Sequence, residues 1–170
     1  ISKLRRENID FIYYGGYHPE LALIMRQADA VGFKPTYMGP EGLGNKDIAY
    51  LAGDAVEGLL VTLPTRYDLM ENNQSIVELL KSKDVDPSGP FIWTSYAAVQ
   101  ALIDAISRAG VNDPEQVVIA LHRQVVDTVI GPIGWNEKGD LKGFEFGIYH
   151  WHADGTGTPV PREINENIAE

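Results

Sequence analysis

Residues 10–41 of the chain are DFIYYGGYHPELALIMRQADAVGFKPTYMGPE, and this stretch predicts a strand, a helix and a second strand in succession. Asp10–Tyr14 is an apolar, aromatic-rich run that is typical of a buried strand. Pro19 opens a helix at a position where its missing N–H is not needed, and Gly32 ends the helix. Thr36–Met38 follows as the next short strand. The apolar residues of the helix recur at helical spacing: Leu21, Ile24, Met25, Ala28 and Val31.

The same alternation continues downstream. Asn45 or Asp47 can start a short helix, and Leu59–Leu63 is a third apolar strand. Strands that alternate with helices indicate an α/β fold built on a parallel sheet. In such open sheets, ligands bind outside the carboxyl ends of the strands. Tyr17 and Glu41 each follow a strand end, so we expect both side chains to face one crevice.

The second half of the chain has a different pattern. Pro64–Asn73 is polar and turn-rich, and is the best candidate for a linker. Phe91–Ala109 predicts a long helix, and Asp113–Glu115 has the cap, proline and acid of a helix start. Two strands, Val129–Trp135 and Gly143–His152, are expected around a turn. The long helix carries one apolar face: Val99, Leu102, Ile103 and Ile106.

Composition narrows the function classes. The chain has 170 residues, enough for one ordinary domain core, and 44% of them are hydrophobic. A net charge of −10 argues against nucleic acid or an anionic membrane as the main partner. The absence of cysteine excludes disulfides and thiolate sites within the chain. Ile1 is not an initiator residue and the first residues do not form a signal peptide, so we expect the chain to begin inside a larger protein.

Three residues are candidates for ligand contact. Glu41 could accept charge-assisted hydrogen bonds from an ammonium group, although by spacing alone a surface loop acid is the more frequent outcome. Tyr17 could equally be a core or a rim aromatic. Phe91 could simply begin a buried helix. The pattern alone leaves these alternatives open.

No catalytic or metal constellation emerges. His150 and His152 alternate on one strand without an apparent third ligand, so no metal site is expected. Glu20 lies in a helix first turn, where the dipole favours a negative charge, so its role is structural rather than acid–base catalysis. The serines lack a nucleophile elbow, and there is no phosphate-binding glycine motif.

Five phrases in order carry a family resemblance: YYGGYHPE at 13–20, GPEGLGN at 39–45, AGDAVEGLLVT at 52–62, DPSGPFIW at 86–93 and WNEKGDLKGFEFG at 135–147. Together they resemble the branched-chain amino-acid (Leu/Ile/Val) binding proteins of bacterial ABC transporters. The resemblance covers roughly residues 1–157 and corresponds to the C-terminal half of such a protein only.

The resemblance implies a type I periplasmic binding protein-like α/β fold, with three-layer αβα lobes and mainly parallel sheets. This chain would supply about half of a two-lobe protein. Residues 1–64 would belong to the C-terminal lobe, and residues 65–142 to the N-terminal lobe. Residues 143–157 would return to the C-terminal lobe, and residues 158–170 would form a tail.

The resemblance also implies a function without a chemical step or cofactor. A branched-chain amino acid would be captured between the lobes and delivered to an ABC permease in the membrane. Glu41 would hold its α-ammonium, Tyr17 would line the pocket and Phe91 would pack on its side chain. The contacts to its carboxylate would lie in the missing N-terminal half of the same protein.

The implied location is the periplasm, or the outer surface through a lipid anchor in a Gram-positive source. Two alternatives have different functions. One is an amino-acid or amide sensor domain on the same fold. The other is a doubly wound enzyme, against which the lack of catalytic motifs speaks.

Overall fold

The computed structural model describes residues 1–89 and 91–161. The chain forms two compact units, which are Ile1–Pro64 together with the segment that begins at Phe146, and Thr65–Glu145. The helices are α1 (Ser2–Arg6), α2 (His18–Ala30), α3 (Lys46–Ala52), α4 (Gln74–Lys81), α5 (Ile92–Ala109) and α6 (Pro114–Arg123). The strands are β1 (Phe11–Tyr13), β2 (Thr36–Gly39), β3 (Leu59–Pro64), β4 (Val126–Thr128), β5 (Gly131–Ile133), β6 (Phe146–Trp151) and β7 (Gly157–Pro159).

The first unit is built on a five-stranded sheet in the order β1-β2-β3-β6-β7. The pairs β1–β2 and β2–β3 are parallel, as the strand–helix alternation predicts. The strands β6 and β7 then extend the sheet in antiparallel fashion. Six large side chains at the centre of this unit are fully buried, each worth about 1.5–3 kcal/mol of transfer free energy: Leu21, Leu43, Ile48, Val56, Leu59 and Val61.

The helices of this unit begin where the sequence predicts. Pro19 lies in the first turn of α2, and most of the residues at helical spacing face the core, but Val31 follows the helix and is 48% exposed. Asn45 caps α3, because its side-chain oxygen accepts a hydrogen bond of 2.9 Å from the backbone N–H of Asp47. The buried positions of α2 are Leu21, Ala22, Met25 and Ala28.

The prediction that β1 is a buried strand is wrong. Phe11 and Tyr13 are 47% and 61% exposed, and only Ile12 between them packs against the core. In the described sheet β1 is an edge strand, which pairs with β2 alone. Because side chains alternate along a strand, one covered face buries only one of these three residues.

The second unit contains α4, α5, α6 and the β4–β5 hairpin. The sequence predicts a polar linker over Pro64–Asn73, but in the structure hydrogen bonds anchor this segment within the second unit. The buried side-chain amide of Asn73 donates hydrogen bonds of 2.9 Å to the carbonyls of both Tyr67 and Val129. The Arg66 guanidinium makes two hydrogen bonds to the Asp68 carboxylate, at 2.8 and 2.7 Å. A buried donor that gains two acceptors fixes the segment in place.

Apart from Trp93 in its first turn, helix α5 packs through small residues rather than through its large ones. Its buried positions follow helical spacing: Trp93, Ala97, Ala101 and Ala105. Ala101 packs with Val126 and Ile133 of the hairpin, and Ala105 packs with residues of α6. The apolar face that the sequence pattern singles out is instead the exposed one, with Ile103 63% exposed. The small alanine side chains allow the hairpin and α6 to approach the helix closely, which the pattern of large residues does not reveal.

The predicted strand over Val129–Trp135 is also wrong, because a tight turn interrupts it. Val129 and Ile130 form the turn between β4 and β5, and Gly131 has a φ of 96°, which favours glycine. The Thr128 hydroxyl donates to the carbonyl of Gly131 at 2.8 Å. The residues from Phe146 onwards do not continue this hairpin. They form β6, which pairs with β3 in the first unit.

The return to the first unit extends through β7. Thr158 and Pro159, which the family resemblance assigns to the tail, pair with β6. His152 joins this end to the start of β3, because its Nδ1 lies 2.7 Å from Glu57 Oε1 and its Nε2 lies 2.8 Å from the Thr158 hydroxyl.

The rest of the predicted tail, residues 162–170, lies outside the described residues. Within the described part of the chain, none of the helices has the length and apolar character needed for a membrane crossing.

The orientation of α5 predicts opposite effects at two adjacent positions. Ala101→Leu adds volume to a closely packed contact and should lower the free energy of unfolding by about 1–3 kcal/mol. Leu102→Ala removes a half-exposed side chain and should change it by about 0.5 kcal/mol or less. Denaturant unfolding of the two variants measures both values. A larger loss for Leu102→Ala would mean that the assigned buried face is wrong.

Two glycines of the β1 and β2 ends offer a second matched pair. A Cβ on Gly39 would lie 2.6 Å from the Tyr14 carbonyl oxygen and would also overlap the Leu43 side chain. A Cβ on Gly15 would meet nothing within 4 Å. We therefore expect Gly39→Ala to lower the free energy of unfolding by about 1–3 kcal/mol. Gly15→Ala should change the free energy of unfolding by about 1 kcal/mol or less. Denaturant unfolding of both variants measures the two values. Equal effects would contradict the close approach at Gly39.

Candidate functional site

The ends of β1 and β2 meet at one edge of the first sheet. Because the two strands are parallel, their carboxyl ends lie side by side, and the backbone N–H of Tyr14 donates to the carbonyl of Met38 at 2.8 Å. The loop after β1 leads to Tyr17, and the loop after β2 leads to Glu41. This edge is where open α/β sheets bind ligands.

Tyr17 occupies the residue before α2 and presents its ring to solvent. Its backbone is extended, with φ −100° and ψ 163°, and its carbonyl accepts the N–H of Leu21 at 3.3 Å. The side chain is 74% exposed. A Cβ on Gly42 would lie 3.8 Å from Cδ1 of Tyr17, so the ring lies beside the loop that carries Glu41. The structure therefore brings these two predicted site residues together.

Glu41 begins a single 3₁₀ turn over Glu41–Leu43. The turn is closed by hydrogen bonds from the N–H of Leu43 to the Pro40 carbonyl at 3.0 Å, and from the N–H of Gly44 to the Glu41 carbonyl at 2.9 Å. Leu43 is fully buried and anchors the turn in the core. The turn thus holds the start of the Glu41 side chain at a fixed place on the sheet edge.

The Glu41 carboxylate is partly buried without compensation. Among the residues that the structure describes, no hydrogen bond or ion pair reaches it. Burial raises the pKa of the Glu41 carboxyl above its ordinary value, because loss of water disfavours the charged form. A cationic donor placed at this edge would restore the lost solvation through charge-assisted hydrogen bonds.

Sequence reasoning missed the residues that support this loop. Gly39 lies against the Tyr14 carbonyl, and a Cβ on Gly44 would lie 2.5 Å from the Leu63 side chain. Both glycines allow the backbone to pass close to its neighbours, which a side chain would prevent. In the sequence, the presence of Gly39 and Gly44 on either side of Glu41 was the observation that could have indicated this close packing.

Phe91, the third predicted site residue, belongs to the second unit. It immediately precedes α5, and its carbonyl accepts the N–H of Ser95 at 3.0 Å and the hydroxyl of Thr94 at 3.2 Å. Its ring is 49% exposed rather than part of the core. An exposed aromatic ring at a helix start is free to contact a ligand, and a role for Phe91 stays a prediction.

Comparison with known proteins gives consistent results. The family model described as periplasmic binding protein matches residues 1–155. The Leucine-specific-binding protein of Salmonella typhimurium is 54% identical over 158 residues, which cover 93% of this chain and 43% of that protein. The Leu/Ile/Val-binding protein of Escherichia coli is 53% identical over 161 residues, covering 93% of this chain and 42% of that protein. The chain therefore spans less than half the length of these relatives.

Solved structures support the same assignment. The crystal structure of a leucine binding protein from Thermotoga maritima superposes with a TM-score of 0.79 at 29% identity, and covers 94% of this chain and 46% of that one. A type 1 periplasmic binding protein from Bordetella pertussis shares the fold, with a TM-score of 0.71, at 18% identity and with coverage of 95% and 48%. These matches confirm the family resemblance and the type I α/β fold predicted from the sequence. The chain belongs to the periplasmic binding protein family.

Proposed function

We propose that this chain is part of the substrate-binding component of an ABC transporter that captures branched-chain amino acids. The observation that supports it most directly is the partly buried, uncompensated carboxylate of Glu41 beside the exposed ring of Tyr17. An amino-acid zwitterion offers an ammonium group for the first and an apolar body for the second. The names of the relatives, which specify leucine, isoleucine and valine, agree with this chemistry.

Binding at Glu41 would gain strength from exclusion of water. An ammonium–carboxylate contact is worth little in open solvent, and more as the surrounding dielectric falls. Burial of a leucine side chain against aromatic rings would add about 1.5–3 kcal/mol. Phe91 would supply a second apolar wall from the other unit. No bond is made or broken in such a function, so no enzyme activity is proposed.

We assign the two units to the two lobes of such a protein. Ile1–Pro64 and the segment that begins at Phe146 would form the C-terminal lobe, and Thr65–Glu145 would form part of the N-terminal lobe. The polypeptide that corresponds to the unmatched portion of the relatives would complete the N-terminal lobe and contact the ligand carboxylate. The exposed apolar face of α5 is where that portion would pack, since contiguous exposed apolar side chains favour a partner surface.

The complete protein would work outside the cytoplasmic membrane. It would hold its ligand in the periplasm, or at the cell surface through a lipid anchor, and deliver it to a membrane permease. The family to which the chain belongs and the binding proteins among its relatives support this placement.

The Glu41 carboxylate predicts a pH-dependent difference in stability. Its raised pKa means that the folded protein holds this proton more tightly than the unfolded chain, so ionisation above the ordinary value of 4.5 lowers the free energy of unfolding. Without ligand, Glu41→Gln should therefore raise Tm at neutral pH. This gain in Tm should disappear below pH 4.5, where Glu41 is protonated in both the folded and the unfolded state. Thermal unfolding across this pH range measures the difference.

Glu20→Gln is the matched control, because Glu20 is an exposed carboxylate in the first turn of α2. The helix dipole favours its charge there, so its removal should lower Tm slightly at neutral pH. If Glu41→Gln behaves like this control, the Glu41 carboxylate has a stabilising partner in the ligand-free protein.

A chimera tests the proposed function itself. The segment of the Escherichia coli Leu/Ile/Val-binding protein that matches this chain is replaced by this chain, which keeps the portion that the chain does not cover. Calorimetry should then show binding of leucine, isoleucine and valine, and weak or no binding of glutamate or lysine. Burial of an unpaired charge is far costlier than loss of a methylene group. Preference for a charged amino acid would contradict the apolar pocket.

In the same chimera, Glu41→Gln should weaken leucine binding at least about tenfold, because a hydrogen bond to a charged group contributes roughly 1.5–3 kcal/mol. Glu20→Gln should leave the affinity unchanged. Unchanged affinity in Glu41→Gln would remove Glu41 from the site while leaving the family assignment intact.

A further inference from the structure

Tyr14 lies directly before the loop that leads to Tyr17, and its side chain packs against the core. It follows the last residue of β1, and side chains alternate along a strand, so its ring lies on the same side of the sheet as Ile12. Both residues pack against the core of the first unit, whereas Tyr13 between them is exposed. The half-buried ring of Tyr14 therefore has a fixed position from which it can support the loop.

The loop passes against the hydroxyl end of this ring at Gly16. A Cβ on Gly16 would lie 2.6 Å from both Cε1 and Cζ of Tyr14, and 2.5 Å from its hydroxyl oxygen. These distances are well inside van der Waals contact, so only glycine lets the backbone lie so close to the ring. A Cβ on the neighbouring Gly15 would meet nothing within 4 Å. The close contact is therefore specific to Gly16.

Hydrogen bonds do not hold this part of the loop. Within residues 1–89 and 91–161, no backbone hydrogen bond involves Gly15 or Gly16. Glycine has more backbone conformations available than other residues, so two glycines in succession leave a loop free unless packing restrains it. The contact between Gly16 and the Tyr14 ring supplies such a restraint.

Tyr14 also contacts the loop that carries Glu41, through its backbone. Its carbonyl oxygen would lie 2.6 Å from a Cβ on Gly39, which is two residues before Glu41. Its N–H donates to the carbonyl of Met38 at 2.8 Å. One residue therefore contacts both loops of the candidate site, with its backbone on the Glu41 side and its ring on the Tyr17 side.

From these contacts we infer that Tyr14 is a positioning residue of the candidate site, whose ring holds the loop at Gly16 and so places Tyr17 beside Glu41. Its effect on a ligand rests on the proposed function. Tyr14 does not have to touch the ligand for this role, because a loop that is already in place loses less entropy on binding. A tyrosine ring suits the role, since it is large and rigid and turns about only two χ angles.

The test is a double-mutant cycle in the chimera with the Escherichia coli Leu/Ile/Val-binding protein, with leucine affinity measured by calorimetry. Tyr14→Ala removes the ring and should weaken leucine binding about three- to tenfold, because the loop must then be ordered on binding. Gly16→Ala should weaken it to a similar extent, since the new Cβ displaces the loop from the ring. In the Tyr14→Ala background, Gly16→Ala should cause no further loss, because the overlap is gone.

Two variants are matched controls for this cycle. Tyr14→Phe keeps the ring and should bind leucine as the parent chimera does. Gly15→Ala places a Cβ in open space and should also leave the affinity unchanged. Additive losses in the double variant would overturn the inference, and so would equal losses in Tyr14→Phe and Tyr14→Ala.

A second measurement does not depend on ligand. Relaxation of ¹⁵N in the ligand-free 170-residue chain gives the amide order parameters of Gly16 and Tyr17. These should fall in Tyr14→Ala and stay unchanged in Tyr14→Phe. Order parameters that do not change in Tyr14→Ala would show that the ring does not hold the loop. If the unmodified chimera fails to bind leucine, the proposed function is wrong, and the order parameters decide by themselves whether Tyr14 positions the loop.

Discussion

The candidate site depends on the close approach of two strand ends. The N–H of Tyr14 donates to the Met38 carbonyl, and Gly39 passes against the Tyr14 carbonyl with no room for a side chain. This contact sets where the β1 loop releases Tyr17 and where the β2 loop begins its turn at Glu41. Because both loops leave from one edge of the sheet, neither candidate side chain relies on a long loop for its position.

The Glu41 turn illustrates how a candidate binding site departs from the most stable arrangement. The turn anchors Leu43 in the core, while the adjacent carboxylate loses water and gains no described partner. Such a group is unfavourable in the ligand-free protein and would become favourable only with a bound cation. In the proposed function, this difference would contribute to specificity for an ammonium ligand, since a neutral analogue would leave the charge uncompensated.

Local patterns predicted much of the first unit. The proline and glycine boundaries of α2 and the cap at Asn45 depend on short-range chemistry that a sequence displays directly. The parallel pairing followed from the alternation of strands with helices. Burial was harder to predict, because it depends on neighbours distant in the chain. The aromatic run of β1 lies at a sheet edge, and beyond Trp93 α5 packs through alanines because its partners approach closely.

The candidate site likewise has one part that local sequence patterns predict and another that depends on residues distant in the chain. Tyr17 and Glu41 could be placed together from strand ends alone, because parallel pairing fixes which edges meet. The supporting role of Gly39 required the three-dimensional path of the Tyr14 backbone. Phe91 is in a separate compact unit, and nothing in its local sequence specifies what its ring contacts.

The order of strands in the first sheet has a consequence for biosynthesis. One edge of β3 is completed by β6, and the whole of Thr65–Glu145 is made between these two strands. The ribosome therefore releases β1, β2 and β3 well before the partner that closes the sheet has been translated. During that interval β3 presents unpaired backbone groups, which other chains can recognise as a template. The second unit is continuous in sequence, so its folding does not have to wait for β6, whereas completion of the first sheet does.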